Sequence, residues 1–312
     1  MDRAVIVFGP TAVGKTTFAE ELTTQLGGEI INADAAQFYT PLTIGTAKPD
    51  WRHAKVPHHL FDLRNEPVDY SVAAYRADAQ ECVTEILQRG KTPIIVGGSG
   101  FYIHSLFFPV GENVQDKVEA STDFSWETLN AVDPVRAAAI HPHDSYRISR
   151  ALTLYQQTKE LPSALVPVYR PITRLFLVEL SCEPELLQNR IRTRTVAMLN
   201  ARWQEEAESL IGTPWEPFVL RKKWIGYPEL IAYCKTGKQL EKFTAVKDAI
   251  VRQTWRYARK QMAYGRMLEK KIHAADAQVP YMKINLTSPS LELYIKQLID
   301  RINMLQKGSG ND

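Results

Sequence analysis

Eight residues near the start, Gly9-Pro10-Thr11-Ala12-Val13-Gly14-Lys15-Thr16, fit the spacing G-x-x-x-x-G-K-[ST]. Glycines let such a loop curl so that several N–H groups converge, and a following helix adds its positive N-terminal end. A phosphate cradle is the chemistry this implies: Lys15 meets the outer phosphate oxygens, and Thr16 supplies a hydroxyl to a magnesium ion. Two further polar residues stand where chains commonly place reactive groups. Asp34 closes the apolar run Glu29-Ile30-Ile31-Asn32-Ala33, and Ser99 follows Pro93-Ile94-Ile95-Val96-Gly97-Gly98. In an open parallel sheet, ligands gather beyond the carboxyl ends of strands, so both residues belong at the edge that carries the phosphate loop. Each also has a plainer reading, Asp34 as the N-cap of a helix over 35–39 and Ser99 as a helix cap. A strand ending in Gly-Gly-Ser argues against an NTPase, whose corresponding strand ends in a magnesium-binding Asp.

The elements that must position these groups follow from periodicity. Ala4-Val5-Ile6-Val7-Phe8 is long enough for one buried strand, and Phe18, Leu22 and Leu26 mark the helix after the loop, stopped by Gly27-Gly28. Ser71 caps a second helix with the stripe Val72, Tyr75, Ala79, Val83, Ile86, Leu87, ended by Gly90. From Gly111 to about Val166 strand-like runs are missing, Asp133-Pro134 and Asp144 read as helix starts, and strand character returns over 174–180. The chain thus reads as α/β: a P-loop NTPase-like parallel sheet core begun over 1–111, a helical insertion over 112–165, and core completion with basic C-terminal helices over 166–312. Lys48 in the loop Gly45-Thr46-Ala47-Lys48-Pro49 is either a solvated charge or a second anion contact, and His58-His59 reads as a loop or polar core contact, since no carboxylate stands at metal-ligand spacing.

Composition narrows the class. The 312 residues are 45% hydrophobic and 23% charged, which suits a folded protein with a sizeable core. Three scattered cysteines form no C-x-x-C pair and imply reduced thiols of a cytoplasmic protein, without a zinc site. No stretch reaches membrane-spanning length, and a monomer is the default expectation. The net charge is only +3, yet basic residues cluster: Arg190, Arg192, Arg194 and Arg202; Arg221-Lys222-Lys223; and Arg252, Arg256, Arg259, Lys260 and Arg266 on a helix expected over about 244–268. Trp255, Tyr257 and Tyr264 are interleaved with the last group. A one-sided positive field with aromatics suits a polyanion larger than a nucleotide.

Together these motifs resemble the tRNA dimethylallyltransferase (tRNA isopentenyltransferase) family. The phosphate loop alone is generic. The resemblance is carried by Asp34-Ala35-Ala36-Gln37-Phe38-Tyr39, Gly45 to Pro49, Pro57-His58-His59-Leu60-Phe61-Asp62, Val96 to Ile103, Ile225-Gly226-Tyr227-Pro228-Glu229-Leu230 and Tyr257-Ala258-Arg259-Lys260-Gln261, in the family's order over nearly the whole chain. It implies transfer of a dimethylallyl group from dimethylallyl diphosphate to N6 of the adenosine just 3′ of the anticodon. Residues 9–16 would then hold a leaving diphosphate with Lys15, Mg²⁺ on Thr16, and a further cation at Lys223. Asp34 would be the general base and Ser99 would hold the amine or a diphosphate oxygen. Asp34, Ala35, Ala36, Gln37 and Ser99, with Arg147 and Arg150 of the insertion, would contact tRNA, and Gln37 would read the adenine edge. The basic helix, with Arg256, Arg259 and Lys260, adds to that tRNA surface.

Departures from the family are specific. Ala35 stands where Ser is usual, Ser99 where Thr is usual, Lys223 where an Arg is usual, and Trp255 where an Arg of the terminal helix is usual, with Arg252 or Arg256 as substitutes. The insertion is shorter than usual. Three alternatives share parts of the pattern: an adenylate dimethylallyltransferase, a small-molecule kinase, and a tRNA-binding protein without catalysis. Basic C-terminal helices count against the first, the Gly-Gly-Ser strand end against the second, and Lys15, Thr16, Asp34 and Ser99 against the third.

Overall fold

The computed structural model describes residues 3–109, 124–165, 168–288 and 290–307. The first twelve residues of the expected insertion, 112–123, and the polar tail 308–312 lie outside the described residues. Two compact units emerge, one made of residues 1–107 and 171–312, the other of 108–170.

The larger unit is built on six parallel strands: β1 (Arg3–Phe8), β2 (Glu29–Asn32), β3 (His58–His59), β4 (Pro93–Gly97), β5 (Arg174–Ser181) and β6 (Tyr281–Asn285), in the order β3-β2-β4-β1-β5-β6. Continuous apolar runs are what a sheet covered on both faces requires. Val5, Ile6 and Val7 of β1 and Ile94 and Ile95 of β4 are fully buried. Helix α1 (Lys15–Leu26) buries Phe18, Ala19 and Leu22, and ends at Gly27 with φ 60°. Helix α2 (Val72–Gln88) starts where Ser71 accepts from Ala74 N at 3.0 Å, and it buries Tyr75, Ala79, Val83 and Ile86. A short helix α3 (Gly100–Ser105) follows β4.

The smaller unit carries α4 (Trp126–Val132), α5 (Pro134–Ala138) and α6 (Ser145–Thr158). Asp133 accepts from Arg136 N at 2.9 Å ahead of Pro134, and Asp144 from Arg147 N at 3.1 Å, so both expected caps are made. Leu129, Ala137, Ile140, Ile148, Ala151 and Leu152 form its core, and Trp126 donates to the carbonyls of Ala137 and Ile140 at 3.1 Å.

Returning to the larger unit, β5 is followed by α7 (Pro184–Asn200), α8 (Trp203–Ser209), α9 (Trp215–Lys222), α10 (Tyr227–Lys235), α11 (Leu240–Ala275), β6 and α12 (Leu291–Lys307). The terminal helix expected over 244–268 is therefore longer at both ends. Strand β6 and helix α12 are additions to the sequence reading: Ile295, Leu298 and Ile302 of α12 join Phe18 and Leu22 of α1 in the main core. His58-His59, expected as a loop or a polar core contact, makes a two-residue strand beside β2, with His58 buried and its Nδ1 2.8 Å from Val56 O. Among the described residues no helix is long and apolar enough to cross a membrane.

Candidate active site

Strand order does most of the positioning. Strand β4 lies between β2 and β1, so the segments leaving β1, β2 and β4 come side by side at one sheet edge. They carry the phosphate loop, Asp34 and Ser99 respectively.

Asp34 is held from several directions. Asn32, 1% exposed, accepts from Asp34 N at 2.9 Å and donates to Leu60 O at 3.0 Å. Phe38 anchors the far side of the turn Ala35–Phe38, its ring packed against those of Tyr70 and Tyr102 at centroid distances of 4.8 and 5.3 Å. Asp34 Oδ1 accepts from Ala36 N at 3.3 Å, so the residue does cap this turn. Ser99 does not cap α3; its hydroxyl accepts from Ala35 N at 3.0 Å, tying the β4 segment to the β2 segment.

Lys15 folds back over its own loop, donating to Gly9 O at 3.0 Å and Pro10 O at 2.9 Å. Burial lowers its pKa to about 8; the Asp34 charge opposes this and Arg194 adds to it. For Asp34 the direction is upward, driven by burial and opposed by Lys15, the Ala36 N–H and Arg194. A carboxyl held above its usual range beside two cations can take up a proton, and the cations form a seat for an anion.

A cavity of about 320 Å³ opens beside these groups. Its polar lining includes Thr11, Asp34, Ser99, Arg194, Lys222, Lys223 and Tyr257; its apolar lining includes Ile191, Met198, Trp203, Ile225 and Ile250. Ala12, Ala35 and Ala36 also line it, whereas Gly9, Pro10, Val13, Gly14, Lys15, Thr16 and Gln37 do not. Gln37 instead donates its amide to Thr46 O at 3.0 Å and Ala47 O at 3.4 Å. Arg256, Arg259 and Lys260 are exposed on α11. Arg147 and Arg150 lie on α6 of the smaller unit, Arg147 paired with Asp144 at 3.3 Å.

Three residues join the site whose part in it their sequence positions do not announce. Arg194 donates to Thr11 Oγ1 at 3.3 Å, and its neighbour Arg190 to Val13 O at 2.9 Å, so Arg190 and Arg194 of the basic segment on α7 serve the phosphate loop and Arg192 does not. Gln261 accepts from Thr11 N at 2.8 Å and donates to Gly98 O at 2.8 Å, joining the first and third segments. A Cβ at Gly98 would displace the Gln261 amide, so this glycine leaves room for the bridge. Tyr257 lines the cavity together with Ser99. Tyr257 and Gln261 are four apart, hence on one helix face, which was the signal available. Lys48 is neither of the two things expected: it is buried, ion-paired with Asp62 and bonded to Tyr39 O at 2.8 Å.

As to a metal, no group of three or more His, Cys, Asp or Glu could hold one among the described residues. A hydroxyl such as that of Thr16, completed by diphosphate oxygens and water, is nonetheless the hard-oxygen set magnesium takes.

The chain has counterparts among known proteins. A family model described as IPP transferase matches residues 37–267. The tRNA dimethylallyltransferase of Alkaliphilus oremlandii is 33% identical over 283 residues, 86% of this chain and 89% of its own. That of Geobacter sulfurreducens is 35% identical over 280 residues, covering 85% and 89%. The crystal structure of the full-length tRNA isopentenylpyrophosphate transferase from Bacillus halodurans superposes with a TM-score of 0.68 at 27% identity, over 99% of this chain and 98% of that one.

Proposed function

The chain belongs to the IPP transferase family, and we propose that it transfers a dimethylallyl group from dimethylallyl diphosphate to N6 of the adenosine 3′ to the anticodon of tRNA. The observation that carries this reading is the meeting of Asp34, Thr11, Ser99 and Arg194 around one cavity with an apolar remainder.

The N6 lone pair attacks the first carbon of the prenyl chain. The N–C bond forms as the C–O bond breaks, the N6 proton passes to the Asp34 carboxylate, and diphosphate leaves. Charge gathers on the leaving group, where the phosphate-loop N–H groups, Lys15 and Arg194 oppose it, with Lys222 and Lys223 as further cations lining the cavity. Ile191, Met198, Ile225 and Ile250 offer the apolar surface that a five-carbon group needs. Mg²⁺, held by the Thr16 hydroxyl and diphosphate oxygens, would supply additional charge neutralisation. The target adenine must leave its stack to enter. Exposed Arg256, Arg259 and Lys260 suit the RNA backbone, and Arg147 and Arg150 are assigned to it by the family resemblance alone.

Prenyl transfer from labelled dimethylallyl diphosphate, with Mg²⁺, to an anticodon stem-loop and to free AMP in parallel tests this. Label in the stem-loop and none in AMP is the expected result. Label in AMP alone would overturn it in favour of an adenylate prenyltransferase.

A further inference from the structure

Trp203 opens α8 and forms part of the apolar wall of the cavity. It is 2% exposed, and its ring packs directly on the backbone at two glycines: a Cβ at Gly45 or at Gly226 would overlap the indole. Tyr227 meets it edge-on at a centroid distance of 6.0 Å. These supports are themselves pinned. Glu206 accepts from Gly45 N at 2.9 Å and from the Tyr227 hydroxyl at 2.7 Å, and Glu229 accepts from Gly226 N at 2.9 Å. A bulky ring seated in this way has no space to retreat into, because close-packed surroundings resist added volume.

Along α7 the cavity wall runs from Arg194, which bonds to the phosphate loop, to Met198, about 6 Å further on. The helix ends at Asn200, and a turn through Arg202, at φ 75°, returns the chain to the cavity at Trp203. In the other direction along α7, Ile191 is packed into the main core. A donor whose diphosphate sits at the Arg194 end therefore directs its hydrocarbon towards Met198 and Trp203. We infer that Trp203 sets donor length: it is the end wall that admits one five-carbon unit and turns away a second. This rests on the reading that the donor is dimethylallyl diphosphate. Size agrees with it. The whole cavity is about 320 Å³, near the lower end of the roughly 300–1,000 Å³ of ligand sites, and it must hold the reacting groups of both substrates. A six-carbon ring alone occupies an apolar cavity of roughly 150 Å³, so a second five-carbon unit calls for a comparable addition.

Steady-state transfer to one stem-loop from dimethylallyl diphosphate or from geranyl diphosphate, its ten-carbon homologue, tests this, with Kd for inorganic diphosphate measured on the same proteins. The wild-type chain favours the five-carbon donor by roughly 100-fold or more in kcat/KM. Trp203→Ala brings the ratio within about tenfold of one through a gain with geranyl diphosphate, while the diphosphate Kd stays within about twofold of wild type; lost stability alone would lower transfer from both donors together. An unchanged ratio in a Trp203→Ala chain that still binds diphosphate overturns the proposal, and so does a wild-type chain that takes both donors equally. Should Trp203→Ala fail to fold, Trp203→Leu decides by the same ratio: a fall of about fivefold or more is expected, and no fall overturns the proposal. Transfer from neither donor by the wild type would instead strike the proposed function, and this inference with it.

Discussion

Helices α7 and α11 carry the same kind of sequence and put it to opposite uses. Both are rich in arginine with apolar residues between. On α7, Arg190 and Arg194 turn inward and bond to the phosphate loop, while Arg192 is exposed. On α11 the cations Arg252, Arg256, Arg259, Lys260 and Arg266 are exposed, Gln261 turns inward, and Tyr257 lines the cavity. A count of basic residues therefore covers two different arrangements: guanidinium groups bonded to the glycine-rich loop, and an exposed band of charge. The physical distinction is burial. A guanidinium removed from water beside Asp34 interacts strongly with a ligand at close range, whereas exposed charges act mainly through screened, long-range attraction.

Breaking the inward set gives the larger effect. Arg194→Ala should lower kcat/KM for dimethylallyl diphosphate by roughly 10- to 100-fold, the worth of a charge-assisted hydrogen bond, with the stem-loop Kd little changed. Steady-state kinetics with each substrate varied in turn would show it; equal losses toward both substrates would erase the distinction between the helices. Breaking the outward set with Arg259→Glu and Lys260→Glu should weaken stem-loop binding about tenfold at low salt and flatten the dependence of log K on log salt by roughly one to two units. Filter binding across a salt series decides this, and an unchanged slope would mean the α11 face is merely solvated. The pH profile sharpens the same contrast. Lys15, lowered to about 8, is charged below that value and neutral above it, so kcat/KM for the diphosphate should fall as pH rises through about 8. Asp34, raised by burial, loses its basic form as pH falls, and the acid limb should lie above the ordinary carboxylate range. Stem-loop binding should show neither limb. The smallest effect belongs to Arg192→Ala, expected within about twofold for every constant, as for an exposed charge.

The same contrast explains what could be read in advance. Strand ends are written in the sequence as apolar runs that stop, and parallel topology converts their stopping points into a shared edge; this is why the phosphate loop, Asp34 and Ser99 were found together. Helix faces are harder, since an arginine that turns inward and one that turns outward are the same letter. Arg194 differs from Arg192 only by lying on the side of α7 that carries buried Ile191 and Thr195. Gln261 looked like a motif residue without a task because its partners, Thr11 and Gly98, lie at least 160 positions away. Strand β6, Tyr281-Met282-Lys283-Ile284-Asn285, is a sheet edge with only Ile284 buried, so no apolar run announces it. Lys48 finds Asp62 through a loop whose backbone takes positive φ at Ala47, Leu60 and Asp62, a path no periodicity reveals.

In the proposed reaction Asp34 is the group that takes the proton from the incoming amine. Asp34→Asn keeps an acceptor for Ala36 N and nearly the same volume but cannot act as a base. Single-turnover transfer at saturating dimethylallyl diphosphate and stem-loop, with stem-loop Kd measured on the same protein, tests the claim. Transfer slower by about 10²- to 10⁴-fold with Kd within about twofold of wild type is the predicted result. Transfer at the wild-type rate would contradict it and leave Asp34 as no more than the cap of a turn.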